Sequence, residues 1–200
     1  MEGERERKKD LKRKPNLWQR LSMDVSRLLN SQDMSDLTVI CQGKELPCHR
    51  RILAARSPVF ARGLASGGAW TEAEGRWTVQ GAEPVTVKDM LGFIYTSNIP
   101  EEALGARAGE LLELASQYEL PELEEACREA LMKGLSPATA VSTLVLLERH
   151  QGPGWDKEEV IDFIKKNAKD IVKGTDWKMF VANYPDLVTD IVTSMASALS

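Results

Sequence analysis

The stretch HRRILAARSPVF, residues 49–60, restricts the fold of this chain more than any other. An apolar run opened by basic residues reads as a helix, yet Pro58 pushes Ser57 away from helical angles, so that helix has to end near Arg56. Ser57 then stands where it caps a second helix, with Pro58 at the first position, where a missing N–H costs no hydrogen bond. Two short helices meeting at a corner, with Ile52, Leu53, Val59 and Phe60 between them, form an αα-hairpin suited to lie on a sheet. The flanking residues supply that sheet. SDLTVICQGKELPCH reads as strands over 37–41 and 45–48 with Gly43 in the turn, and RWTVQ at 76–80 reads as a third strand.

Helical periodicity accounts for most of the remainder. Leu17, Leu21, Val25, Leu28 and Leu29 make an apolar stripe along a helix over about 16–30. That stripe needs a cover, supplied either by its own domain or by a second copy of the chain. EPVTVKDMLGFIYTSNI, opened by Pro84, spaces Val87, Met90, Leu91, Ile94 and Tyr95 as a core helix. ARAGELLELASQYEL and PELEEACREALMKGL follow, the latter opened by Pro121 and closed at Gly134. The sequence then predicts a helix capped by Ser136 with Pro137 first, a break at QGPG, one long helix over DKEEVIDFIKKNAKDIV, and a short and a final helix to the end.

Composition narrows the function classes. A 42% hydrophobic content supports a packed core in a chain of 200 residues. Three widely spaced cysteines do not suit a disulfide-stapled scaffold, so a reducing compartment, nucleus or cytoplasm, is expected. No apolar run reaches the roughly 20 residues of a membrane span, and the N-terminus is charged where a secretory signal is apolar. Residues 1–20 hold eight Lys/Arg against four Asp/Glu, which leaves eighteen against twenty-six beyond them, a folded part that repels nucleic-acid phosphates. The basic head KKDLKRKP reads either as a solvated terminus, or as an import signal or contact for an acidic partner. Residues 101–129 carry nine Glu against two Arg, either a solvated helix face or a site for basic residues.

Chemistry is sparse. The two histidines, His49 and His150, limit acid–base and metal sites. Cys48 and His49 are neighbours at a strand end and point to opposite faces, so they make no nucleophile–base pair. Cys41, Cys48, His49 and Cys127 lack paired metal-ligand spacing, and no phosphate-cradling glycine loop is present. No catalytic, cofactor or metal residue is assigned. His49 reads as a helix-start residue with its ring held by hydrogen bonds, with Asp36 as the partner.

SDLTVICQGKELPCHRRILAARSPVFARGL followed by EPVTVKDMLGFIYTSNI resembles a BTB/POZ domain, in particular the speckle-type POZ branch that pairs such domains with a MATH domain. LSPATAVSTLVLLERH and VIDFIKKNAKDIVKGTDWKMFVANYPDLV resemble that branch's 3-box and partial BACK helices. The resemblance implies an α+β fold, a short three-stranded sheet with a cluster of helices, then an all-helical extension. It divides the chain into a basic, disordered head (1–15), a BTB/POZ domain (16–134) and a 3-box/BACK-like region (135–200). It implies a homodimer, or a heterodimer with other BTB proteins, through Leu17, Leu21, Val25, Leu28 and Leu29 with Ile52 nearby. It further implies a non-catalytic substrate adaptor of a cullin-3 ubiquitin ligase, with an unidentified substrate protein, no cofactor, and no nucleic-acid or membrane partner. The family's cullin motif falls on Trp70 and Glu72, with Phe60, Leu64 and Tyr118 lining the same face. Where that branch carries a MATH domain this sequence has a short basic segment. The alternative is therefore a BTB module outside any ligase, either a heterodimerising decoy of MATH-BTB adaptors or a recruiter of transcriptional partners.

Overall fold

The computed structural model describes residues 17–65, 75–150 and 157–197. Two compact units divide it, Met1–Ile99 and Pro100–Ser200.

The first unit contains α1 (Leu17–Ser31), β1 (Leu37–Cys41), β2 (Lys44–Cys48), α2 (Arg50–Arg56), α3 (Pro58–Leu64), β3 (Arg76–Val79) and α4 (Pro84–Thr96). The strands form one sheet in the order β2-β1-β3. β1 and β2 are antiparallel, with Val39 opposite Leu46 and Cys41 opposite Lys44. Their two-residue loop, Gln42-Gly43, has positive φ at both positions, 47° and 76°. This is the turn whose twist matches a hairpin, and glycine takes the second position without a Cβ penalty.

β3 runs parallel to β1, with Trp77 opposite Val39. A parallel pair needs a long crossover, and α2 and α3 lie within it. Ser57 is extended (φ −130°, ψ 120°), as Pro58 demands, and its Oγ accepts the Phe60 N–H at 3.2 Å. The corner so made delivers Phe60 onto Trp77, with ring centroids 4.6 Å apart. Both rings are buried, as are Leu37, Val39, Cys41, Leu53 and Val79. α4 carries the richest apolar set, burying Val87, Met90, Leu91, Phe93, Ile94 and Tyr95.

The second unit is all-helical: α5 (Glu101–Gln117), α6 (Pro121–Lys133), α7 (Ala140–Arg149), α8 (Lys157–Lys166), α9 (Ala168–Ile171), α10 (Thr175–Asn183) and α11 (Pro185–Ser197). α5 and α6 pack as a hairpin in which Leu111, Leu112, Ala115, Tyr118, Leu120, Leu123 and Cys127 are buried. α7 approaches α5 closely where Leu146 meets Gly109, a position at which an added Cβ would lie 3.1 Å from the leucine methyl. A further core joins Leu144 and Leu147 of α7, Val160 and Ile164 of α8, Phe180 of α10 and Ile191 of α11.

Three expectations change in this unit. α5 begins at Glu101, five residues before the stretch assigned to it, and leaves helical angles at Arg107 (φ −140°, ψ 23°), so it is two segments in series. The turn after α6 does begin at Ser136, whose carbonyl accepts the N–H groups of Thr139 and Ala140. Its hydroxyl, however, meets the Thr139 hydroxyl at 3.0 Å instead of a backbone N–H, and the regular helix starts at Ala140. The expected long helix over 156–172 is broken at Asn167, whose side-chain amide donates to the Phe163 carbonyl at 2.9 Å. The Asn167 backbone N–H donates to the same carbonyl and to that of Ile164, so side chain and main chain share one acceptor where the helix that periodicity alone would continue is interrupted.

The Ser57 cap has a measurable weight. Ser57→Ala is expected to lower unfolding free energy by about 1 kcal/mol, read as a lower urea midpoint with unchanged slope. An unchanged midpoint would show that Pro58 alone sets the corner.

Candidate dimerisation and partner surface

α1 is strongly amphipathic, yet none of its residues is buried within the chain. Leu17 is 81% exposed and Leu21 54%, while Val25, Leu28 and Leu29 are half-buried, as is Ile52 on α2. α1 packs along α4, and its Ser22 hydroxyl donates to the Thr96 carbonyl at the end of α4 (3.0 Å). Trp18, 79% exposed, belongs to the same face. Its signal was in the sequence, since Trp18, Leu21 and Val25 follow steps of three and four. Met34, 84% exposed just past the helix, had no periodic signal to reveal it.

The joint between β2 and α2 is polar and ordered. Tyr95 Oη lies 2.8 Å from both the His49 backbone N and His49 Nδ1, while His49 Nε2 lies 2.8 Å from the Asp33 carbonyl. With the ring uncharged, one proton arrangement satisfies all three contacts. The His49 N–H donates to Oη, the phenol donates to Nδ1, and Nε2–H donates to Asp33, which assigns the neutral Nε2–H tautomer. Burial pushes the Tyr95 phenol above its ordinary range, with the nearby Cys48 thiol and Asp36 carboxylate adding to the effect, so it stays a donor. The expected Asp36–His49 pair is corrected here. Asp36 Oδ1 accepts the Arg50 backbone N–H at 2.7 Å, and the ring turns to α4 and to the end of the α1 turn instead.

The expected partner face divides differently. Phe60 is fully buried under Trp77. Leu64, at the end of α3, is half-buried. Tyr118 belongs to the second unit and is 2% exposed. Trp70 and Glu72 lie outside the described residues. Phe60 and Tyr118 therefore shape their surroundings from beneath and present almost no surface of their own. The acidic stretch is a solvated helix surface, with every glutamate between 101 and 129 exposed except the half-buried Glu124. Some of them bridge within the unit: Glu125 pairs with Arg128, and Glu113 meets Arg149 at 3.3 Å and His150 at 3.1 Å.

Reactive chemistry finds little support. All three thiols are free and buried. Burial pushes Cys48 and Cys127 up to about 12, which keeps them protonated and non-nucleophilic near neutral pH. Among the described residues there is no group of three or more His, Cys, Asp or Glu placed to hold a metal, and no helix is long and apolar enough to cross a membrane.

A family model, the BTB/POZ domain, matches residues 25–135. The chain belongs to the BTB/POZ domain family. Domains of this family are generally protein-interaction modules, and pairing with other BTB/POZ proteins is their typical mode. TD and POZ domain-containing protein 4 of Mus musculus is 34% identical over 182 residues, covering 89% of this chain and 48% of that protein. TD and POZ domain-containing protein 1 of Mus musculus is 32% identical over 178 residues, with the same shares. The chain thus spans about half the length of the curated relatives it matches. Among solved structures, the BTB domain of zebrafish PATZ1 aligns with a TM-score of 0.47 at 21% identity, covering 57% of this chain and 91% of that one. The BTB domain of human gigaxonin aligns at 0.46 and 21%, covering 58% and 92%.

Raised thiol pKa values make this BTB/POZ chain sensitive to alkali. The folded state holds the Cys48 and Cys127 protons more tightly than the unfolded chain, so their contribution is complete below pH 9 and declines as pH rises toward about 12. Unfolding free energy is expected to fall across that window by about 1.4 kcal/mol per pH unit per thiol. Urea titrations at pH 8.5 and 10 check this, and Cys48→Ala should flatten the slope.

Proposed function

We propose that this BTB/POZ protein works as a dimeric adaptor that binds cullin-3 and presents a substrate protein for ubiquitin transfer. The observation that carries the first half is the apolar face of α1, with Leu17, Trp18 and Leu21 more than half exposed. Solvated helices do not usually hold such a row, and a second copy of the same helix covers it self-complementarily. Leu17, Leu21, Val25, Leu28, Leu29 and Ile52 form the proposed dimer surface. The second half rests on the resemblance of Trp70-Thr71-Glu72 to the cullin motif of the speckle-type POZ branch, with Leu64 beside it in sequence on α3. Placement in that branch belongs to the same proposal, as do a nuclear or cytoplasmic location and the division into a BTB/POZ domain over 16–134 and a 3-box/BACK-like region over 135–200.

The burial of Phe60 and Tyr118 favours a second reading. With two of five cullin-face positions inside the core, the chain would act as a BTB module that pairs with another BTB protein, such as a MATH-BTB adaptor, without recruiting a ligase.

Sedimentation of the purified chain followed by calorimetric titration with the cullin-3 N-terminal domain separates the two. The adaptor reading expects a dimer that binds one cullin per protomer at micromolar concentration or tighter. It also expects at least about tenfold weaker binding in a Trp70→Ala/Glu72→Ala variant, about 1.4 kcal/mol. A well-folded dimer with no cullin binding leaves the second reading. Leu21→Asp/Val25→Asp is expected to give a monomer with unchanged far-UV circular dichroism, because burying four carboxylates at a two-fold interface is prohibitive.

A further inference from the structure

The dimer helix of this reading has an unusual attachment. With no buried residue, α1 is held along α4 by shallow packing and by the Ser22 bond to the Thr96 carbonyl. The turn that follows it is strained. Gln32 and Met34, neither of them glycine, take left-handed backbone angles (φ 61° and 58°) on either side of Asp33. Such geometry persists where its surroundings hold it. Gln32 N–H donates to the Leu28 carbonyl, Asp33 N–H to the Ser31 hydroxyl, and Ser35 N–H to the Gln32 carbonyl. These local bonds shape the turn without saying how α1 leaves the sheet. Bonds to other elements do that: Asp36 N–H to the Cys48 carbonyl and Arg50 N–H to Asp36 Oδ1 fix the start of β1, and His49 Nε2–H to the Asp33 carbonyl at 2.8 Å reaches three residues further back, into the turn itself.

We propose that His49 and Tyr95 are positioning residues for dimerisation, a tautomer lock that clamps the α1–β1 turn and so sets the angle at which α1 meets a second copy. The inference rests on α1 being the dimer helix. Tyr95 makes no contact with the turn in this network and acts through the imidazole. Its hydroxyl, anchored by the His49 backbone N–H, gives its proton to Nδ1 and leaves the ring's own proton on Nε2, aimed at Asp33. Without that hydroxyl nothing prevents the other tautomer, which would set the Nε2 lone pair against a carbonyl oxygen. Ser22, donating to the Thr96 carbonyl, holds α1 at a second point, one residue along α4 from Tyr95.

The test uses the full chain. Sedimentation equilibrium well below the melting temperature measures the dimer Kd of Tyr95→Phe and His49→Phe, and nitrogen-15 NMR of the imidazole reads the His49 tautomer. The wild type should show the Nε2–H signature. Tyr95→Phe should lose it and raise the Kd by about tenfold or more, since each dimer loses two clamps. Asp33→Asn should leave the Kd unchanged, because the acceptor is the backbone oxygen. A merely structural role would lower the melting temperature of Tyr95→Phe but leave its Kd within about threefold of wild type, and that result overturns the proposal. An Nδ1–H signature in the wild type overturns it without any variant, which covers the case in which the variants do not fold. If Leu21→Asp/Val25→Asp stays dimeric, the reading of α1 is what fails; if that variant is monomeric, a flat Kd series counts against the clamp alone.

Discussion

The extended backbone of Ser57 is the constraint from which the first unit follows. Proline forbids the preceding residue its helical angles, the helix breaks, and the chain turns at a corner that the Ser57 hydroxyl then caps. Phe60 reaches Trp77 because of that corner. Trp77 belongs to β3, so the same corner helps seat the strand that completes the sheet. A continuous helix over 50–64 would be about 22 Å long and would carry its apolar residues past the sheet instead of folding them back onto it.

Burial and exposure divide the labour of the chain. Residues that resemble functional ones in sequence are often interior, as with Phe60 and Tyr118, and the thiols that are chemically reactive elsewhere are shielded here. Among the described residues, the outside includes a helix whose apolar side the chain leaves largely open, and an acidic helical surface.

Much of the fold was legible because its determinants are local. Gly43 in a two-residue loop, Pro58 and Pro84 at helix starts, and the spacing of Val87, Met90, Leu91 and Ile94 each act within a few residues. The misread features depend on distant or competing partners. Nothing near His49 in sequence announces a phenol 46 residues away, and Asp36, the nearer and more obvious acceptor, serves a backbone N–H instead. Asn167 looks like one more polar position on a helix, yet its amide joins its own N–H on the Phe163 carbonyl and its backbone leaves helical angles. The apolar stripe of α1 was visible as a pattern, and the structure added Trp18 and Met34 to the exposed apolar set. The partner face was visible only as resemblance, because a motif shows residue types and not which of them face water.

The parallel pairing of β1 with β3 carries a consequence for how this chain is made. Val39 meets Leu46 across a tight hairpin, but its other neighbour, Trp77, lies beyond two helices and a long connection. During synthesis β1 and β2 can pair as soon as they leave the ribosome, while the far side of β1 keeps a row of unsatisfied backbone groups until α2 and α3 have formed and Trp77 arrives. At a translation rate of about 5–20 residues per second that interval lasts on the order of seconds. For that time the nascent chain exposes an open strand edge together with an uncovered α1, the two surfaces most prone to join the wrong neighbour.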